Sequence, residues 1–113
     1  MTLKKIVKKL CDFPKGVLAA DEGIGTIKKR FDMIDVENTQ ENRTEYRKLL
    51  FSTPNLEDYI SGVITYSETF DQILDDNSRL IDLLLEKNIL VGIKLDSGLS
   101  DTPDNQKLCN PVH

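Results

Sequence analysis

Several residue types that build common active sites are scarce in this chain. It has no tryptophan, one histidine, at position 113, and two cysteines. Cys11 and Cys109 lack the paired spacing of a zinc site, so we expect free thiols in a reducing compartment rather than a disulfide or metal ligands. One terminal histidine cannot build the usual zinc site or activate a serine nucleophile. No metal site is therefore predicted.

Long apolar runs and an excess of positive charge are also lacking. No run approaches the roughly 18 apolar residues of a membrane span, and the first residues lack the uninterrupted apolar region of a secretory signal. The net charge is −4, which argues against general nucleic-acid binding through phosphate neutralisation. We therefore expect a soluble, cytoplasmic protein that binds neither nucleic acid nor membrane.

Residues 1–14 are predicted to contain an N-terminal helix. Leu3, Ile6, Val7 and Leu10 recur at helical spacing, with lysines between them. A basic amphipathic helix could lie on an anionic membrane. Its shortness favours the alternative, a helix that docks on the body of the domain.

A short apolar segment, residues 15–20, is predicted to be a buried strand covered on both faces. Asp21 and Glu22 follow at its C-terminal end. Gly23–Thr26 is predicted to be a tight turn in which the Thr26 hydroxyl caps a helix from residue 27 onward. Ligands of barrels and open α/β sheets bind at this edge, so a carboxylate beside a cationic helical turn resembles a binding site.

The rest of the chain repeats this alternation of strands and helices. The pattern predicts a helix over 40–51, a strand over 60–66, a second apolar helix over 78–87 and a third strand over 89–96. The resulting βαβαβ order implies an α/β fold with parallel strands joined by right-handed crossovers.

Three charged side chains in these later elements allow more than one interpretation. Arg43 and Arg47 lie one helical turn apart, which usually means a solvated face paired with neighbouring glutamates at 41 or 45. Lys94 could project into the interior, because alternate strand residues face the same side. An ion pair with Asp96 or Asp21 is an equally open explanation for that lysine.

The segment 16–22, Gly-Val-Leu-Ala-Ala-Asp-Glu, resembles the first strand and loop of class I fructose-bisphosphate aldolases. Further similar segments follow in family order as far as Leu99: Gly25-Thr26-Ile27, Lys29-Arg30, Glu37-Asn38-Thr39, Glu41-Asn42-Arg43, Tyr46-Arg47, Leu49-Leu50, Ser61-Gly62-Val63-Ile64, Glu68-Thr69 and Gly92-Ile93-Lys94-Leu95-Asp96. The resemblance covers most of this chain and only the first part of the family's chain.

The resemblance implies an incomplete TIM (β/α)8 barrel, with about the first three parallel strands and their helices over 15–99. A whole barrel needs roughly 250 residues. Residues 100–113 form a polar tail without apolar periodicity, predicted to be disordered. The parent enzyme is expected to be a homotetramer. An isolated three-strand piece leaves backbone groups unpaired, so we expect marginal folding.

The implied activity is reversible cleavage of fructose 1,6-bisphosphate to the triose phosphates dihydroxyacetone phosphate and glyceraldehyde 3-phosphate, without metal or cofactor. Asp21 and Lys94 match catalytic positions. Matches to phosphate-binding positions fall on Thr26, Lys29, Arg30 and Arg43. The family's imine-forming lysine and catalytic glutamate belong to later strands and have no counterpart here.

Two departures from the family pattern weaken the expected site. Gly23 stands where a serine usually follows the acidic pair, and Ser97 replaces a lysine after Asp96. Three hypotheses follow: a piece of an aldolase, inactive alone; a non-catalytic remnant that binds a sugar phosphate or a partner; or a poorly folded product without function.

Overall fold

Three parallel strands organise the chain in the computed structural model, which describes residues 1–101 and 107–111 and the side chains of residues 1–98. The elements in chain order are α1 Leu3–Leu10, β1 Gly16–Ala20, α2 Ile24–Asp32, α3 Gln40–Phe51, β2 Ile60–Thr65, α4 Asp82–Glu86, β3 Leu90–Ile93, β4 Asp96–Asp101 and β5 Lys107–Pro111. Short 3-10 turns at Leu56–Asp58 and Ser67–Asp71 flank β2. The predicted α/β class is confirmed.

The sheet order is β1-β2-β3, with β2 in the middle. Ala20 pairs with Thr65, and Thr65 with Ile93, so the three strands end level with one another. The predicted strands 15–20, 60–66 and 89–96 are confirmed to within three residues at each end. Because parallel strands share one carboxyl edge, the segments that follow them converge there.

One face of the sheet carries the core. Val63 of β2 is 1% exposed and packs with Phe51 of α3 and Leu84 of α4, each 0% exposed. The same buried cluster includes Ala20, Leu56, Leu80 and Ile89. Lys87, just after α4, donates from Nζ to the carbonyls of Phe51 (3.1 Å) and Thr53 (2.8 Å), which satisfies acceptors left at the end of α3.

The other face of the sheet is only partly covered. Leu10 of α1 lies against Gly62, and its carbonyl accepts a hydrogen bond from Ser61 Oγ at 2.7 Å. The predicted docking of this helix is therefore confirmed. Val17 and Ile64 lie on the same face as Gly62 and are 49% and 36% exposed. The expectation that β1 is covered on both faces is wrong.

Helix α2 begins earlier than the sequence suggests. Gly23 is its N-cap, in extended conformation, and Thr26 lies inside the first turn. The predicted capping role of Thr26 is therefore wrong. Ile27 and Phe31, one turn apart, are buried, and this packing outweighs the low helix propensity of Gly25.

The predicted helix over 78–87 is reduced to α4, Asp82–Glu86. The Asp76 carboxylate accepts hydrogen bonds from both the backbone N–H and the hydroxyl of Ser78, and Ile73 forms a bridge with Arg79. Side-chain acceptors that bind nearby N–H groups compete with helix formation, which explains the late start.

The tail also differs from expectation. Residues 107–111 form β5, antiparallel to β4, whereas the sequence predicts disorder over 100–113. Backbone pairing provides an order that the polar side-chain pattern does not reveal. Residues 102–106, Val112 and His113 lie outside the described residues. In the part of the chain that is described, no helix is both long and apolar enough to cross a membrane.

Candidate functional site

Lys94 and Asp21 meet at the carboxyl edge of the sheet. Lys94 directly follows β3, and its backbone N–H donates to the Thr65 carbonyl at 2.9 Å. Its Nζ donates to the Asp21 carbonyl oxygen at 2.8 Å and lies 4.0 Å from Asp21 Oδ2. The two side chains are 24% and 32% exposed. The end of β1 and the end of β3 thus bring opposite charges together beside solvent.

A cavity of about 410 Å³ opens beside this pair. The start of α2, Gly23–Thr26, forms one wall, and Lys94 with residues 96–98 forms another. No side chain caps α2, so the N–H groups of its first turn stay available to a ligand. Helix N-termini carry partial positive charge, which favours an anion. Among charged side chains, the lining holds one ammonium, that of Lys94, and one carboxylate, that of Asp96.

Tyr66 forms the floor between these walls. It follows β2 directly and lines the cavity together with Ser67. The Lys94 Nζ atom lies 5.3 Å from the centre of the Tyr66 ring, a cation–π contact. Sequence analysis did not single out this tyrosine. The signal that could have identified it is its position directly after a predicted strand, at the same edge of the sheet as Asp21.

Not all the predicted phosphate-binding residues reach the cavity. Arg30 points away from it, because its Nη1 donates to Glu22 Oε1 (2.9 Å) and to the Tyr46 hydroxyl (2.7 Å). Those two hydrogen bonds raise the Arg30 pKa above its ordinary value. Lys29 is exposed on α2 and does not line the cavity. Thr26 does line it.

Arg43 and Arg47 are buried, so the prediction of a solvated face paired with Glu41 or Glu45 is wrong. Arg43 Nη2 and Arg47 Nη1 each lie 2.7 Å from a carboxylate oxygen of Glu68. Burial opposes ionisation of Glu68, but hydrogen bonds from both arginines outweigh it and hold the Glu68 pKa below its ordinary value. Glu68 is therefore the ionised centre of a buried cluster.

The structure thus brings three of the six predicted site residues together, namely Asp21, Lys94 and Thr26. Within the described part of the chain, no group of three or more His, Cys, Asp or Glu side chains could hold a metal ion. Cys11 is a free, exposed thiol. Cys109 lies in β5, and its side chain is outside the described set.

A parallel βαβαβ sheet with charged groups gathered at its carboxyl edge is typical of α/β enzymes, and three such strands make up part of a TIM barrel. A solved structure agrees: fructose-bisphosphate aldolase of Plasmodium falciparum, in complex with TRAP and a small-molecule inhibitor, superposes with a TM-score of 0.89 at 46% identity. The match covers 95% of this chain and 31% of that one.

Sequence comparison names the family. The model for class-I fructose-bisphosphate aldolase matches residues 2–109, so the chain belongs to this family. Fructose-bisphosphate aldolase 2 of Caenorhabditis elegans is 53% identical over 86% of the chain, and fructose-bisphosphate aldolase 1 of Toxoplasma gondii is 50% identical over 93%. The chain spans only 26% and 30% of their lengths.

Proposed function

We propose that this chain provides the Asp21–Lys94 pair and the adjoining cavity of an aldolase active site. The complete site would cleave fructose 1,6-bisphosphate reversibly to triose phosphates in the cytoplasm. The observation that carries the proposal is the Lys94 ammonium at a cavity formed by the uncapped start of α2, with its Nζ 2.8 Å from the Asp21 carbonyl. The resemblance and the family assignment support it.

Each group has a distinct part in the proposal. Lys94 and the first-turn N–H groups of α2 hold a phosphate, because an ammonium and a helix N-terminus both favour an anion. The Thr26 hydroxyl, exposed in that turn, donates to the same oxygens. The Asp21 carboxylate accepts hydrogen bonds from sugar hydroxyls. Lys29, Arg30 and Arg43 would contact phosphate only after rearrangement, since the structure directs them elsewhere.

The chain alone is proposed to bind but not to cleave. Class I chemistry needs a lysine that forms an imine with the substrate ketone. The resemblance implies that Lys94 is not that lysine. Since the chain spans about three tenths of its relatives, a non-catalytic sugar-phosphate-binding or partner-binding role is the second candidate.

Titration with fructose 1,6-bisphosphate, followed by amide NMR shifts of Gly25, Thr26 and Lys94, tests binding. We expect saturable shifts at millimolar ligand, competed by inorganic phosphate and lost in Lys94→Met. Lys28→Met is the matched control, because Lys28 lies on α2 but pairs with Asp32 at 2.8 Å, and it should bind normally. No shifts, or equal loss in both variants, would contradict the proposal.

Borohydride trapping with dihydroxyacetone phosphate separates binding from catalysis. We expect no stable adduct on this chain, read by intact mass. A covalent adduct at Lys94 would show that this lysine forms the imine and would overturn the binding-only assignment.

A further inference from the structure

Arg47 is the most deeply buried charged side chain among the described residues, and neither the cavity nor the resemblance explains it. It is 0% exposed, and from α3 its guanidinium contacts Glu68 and the Glu22 carbonyl, which follow β2 and β1. A buried charge is costly unless it is paired and hydrogen-bonded, so its contacts show what it holds in place.

One guanidinium connects the segments that follow β1 and β2. Arg47 Nη1 donates to Glu68 Oε2 and to Gln72 Oε1, both at 2.7 Å. Its Nη2 donates to the Glu22 carbonyl at 3.3 Å. Glu68 and Gln72 belong to the segment after β2, and Glu22 to the one after β1. Arg47 therefore fixes these two segments relative to each other.

The Tyr66 ring connects the Arg47 guanidinium to the cavity, which Arg47 itself does not line. Its central carbon lies 5.9 Å from the centre of the Tyr66 ring, and Lys94 Nζ lies 5.3 Å from that ring centre. Adjacent carbonyls complete the connection, since Asp21 O accepts from Lys94 and Glu22 O accepts from Arg47. Lys94 and Arg47 thus hold consecutive peptide groups and share one ring.

Glu68 holds the guanidinium in this position. Its carboxylate also accepts three hydrogen bonds from Arg43, two from Nε at 3.2 and 3.0 Å and one from Nη2 at 2.7 Å. A carboxylate fixed by one arginine presents a fixed acceptor to the other. Lysine has no planar fork and could not engage Glu68, Gln72 and Glu22 together.

We propose that Arg47 is a positioning residue for the sugar-phosphate cavity, setting the Asp21–Lys94 geometry through the Glu22 carbonyl and the Tyr66 ring without touching the ligand. The ligand named in this inference rests on the proposed function. The positioning of Asp21 and Lys94 by Arg47 is a property of the free chain and can be tested without a ligand. It accounts for a fully buried arginine directed at the floor of a cavity that it does not line.

The test uses the whole chain with 13C-labelled lysine and the variant Arg47→Lys, which keeps the charge and loses the fork. In the parent chain, the Tyr66 ring should move the Lys94 Hε resonance upfield of the exposed lysines. We expect Arg47→Lys to return it toward their position and to weaken inorganic phosphate binding at Thr26 roughly tenfold. Arg79→Lys is the matched control, because Arg79 is exposed and paired with Asp82, and it should change neither.

If Arg47→Lys does not fold, Gln72→Met replaces it, since it removes one acceptor, keeps the ion pair and changes volume little. It should shift the Lys94 resonance by a smaller amount in the same direction. An unmoved resonance in whichever of these variants is folded, as judged by circular dichroism, would overturn the inference. Absence of phosphate binding to the parent chain would refute the proposed function. The Lys94 resonance would still test whether Arg47 positions Lys94.

Discussion

Arg47 Nη1 lies 2.7 Å from Glu68 Oε2, a residue 21 positions further along the chain. The Arg47 side chain is fully removed from solvent, and that of Glu68 is 15% exposed. This ion pair joins α3 to the segment after β2, so the packing of the helix and the shape of the cavity edge depend on the same contact.

The first prediction concerns the charge of Glu68. Glu68→Gln should lower the free energy of unfolding by about 3–5 kcal/mol, because it leaves two buried arginines without their counter-charge. Asp32→Asn is the matched control and should cost less than about 1 kcal/mol, since the Lys28–Asp32 pair is exposed. Urea unfolding followed by circular dichroism measures both. Equal losses in the free energy of unfolding in the two variants would contradict this prediction.

The same carboxylate predicts how stability depends on pH. The Glu68 pKa is lower in the folded chain than its ordinary value, so Glu68 stabilises the fold fully above the ordinary value of about 4.3. That contribution disappears as the pH falls through the folded pKa. Below about pH 4, the parent chain should therefore lose stability faster than Glu68→Gln. Parallel pH curves in urea would contradict this prediction.

The start of α3 offers a test within one helix. The Thr39 hydroxyl caps the helix by accepting from the Asn42 N–H at 3.1 Å, so Thr39→Ala should cost about 1 kcal/mol. Thr44→Ala lies inside the helix, where the hydroxyl only donates to the Gln40 carbonyl. It should change stability by less than about 0.5 kcal/mol. Thermal melts compare them, and a larger cost at Thr44 would refute the assigned cap.

A small change at Gly62 should release α1. A Cβ built at Gly62 would lie 2.6 Å from Leu10 Cδ2, whereas one at Gly16 would meet nothing within 4 Å. Gly62→Ala should therefore displace Leu10 and cost about 1–3 kcal/mol, with faster amide exchange in α1. Gly16→Ala should leave that exchange unchanged. Slow exchange in Gly62→Ala would mean that Leu10 moves while the helix stays docked.

The strands and α3 could be predicted because their signals are local. The apolar run at 16–20 ends at a charged pair, and Thr39 and Pro54 bound the helix over 40–51. Parallel order then follows from the alternation of strands and helices. The sequence allows Lys94 to pair with Asp96 or with Asp21, and the level ends of β1 and β3 bring Asp21 to it.

The arginine cluster could not be predicted from spacing alone. Residues 43, 47 and 51 share one face of α3, but two are arginines, and their partner Glu68 lies more than 20 residues away. Local rules therefore favoured nearby glutamates. The late start of α4 had a similar cause, because the Asp76–Ser78 hydrogen bonds compete with a helix that the leucines alone would favour.

Because β2 lies in the middle of the sheet, we expect it to be the last strand to open when the chain unfolds. Hydrogen bonds secure β2 along both sides, while β1 and β3 are each secured by that sheet along one side. Its amide protons should accordingly be the last to exchange with deuterated water, and any partly opened form should keep this strand until late. Tyr66 follows β2 directly, so the floor of the cavity is attached to the longest-lived part of the molecule.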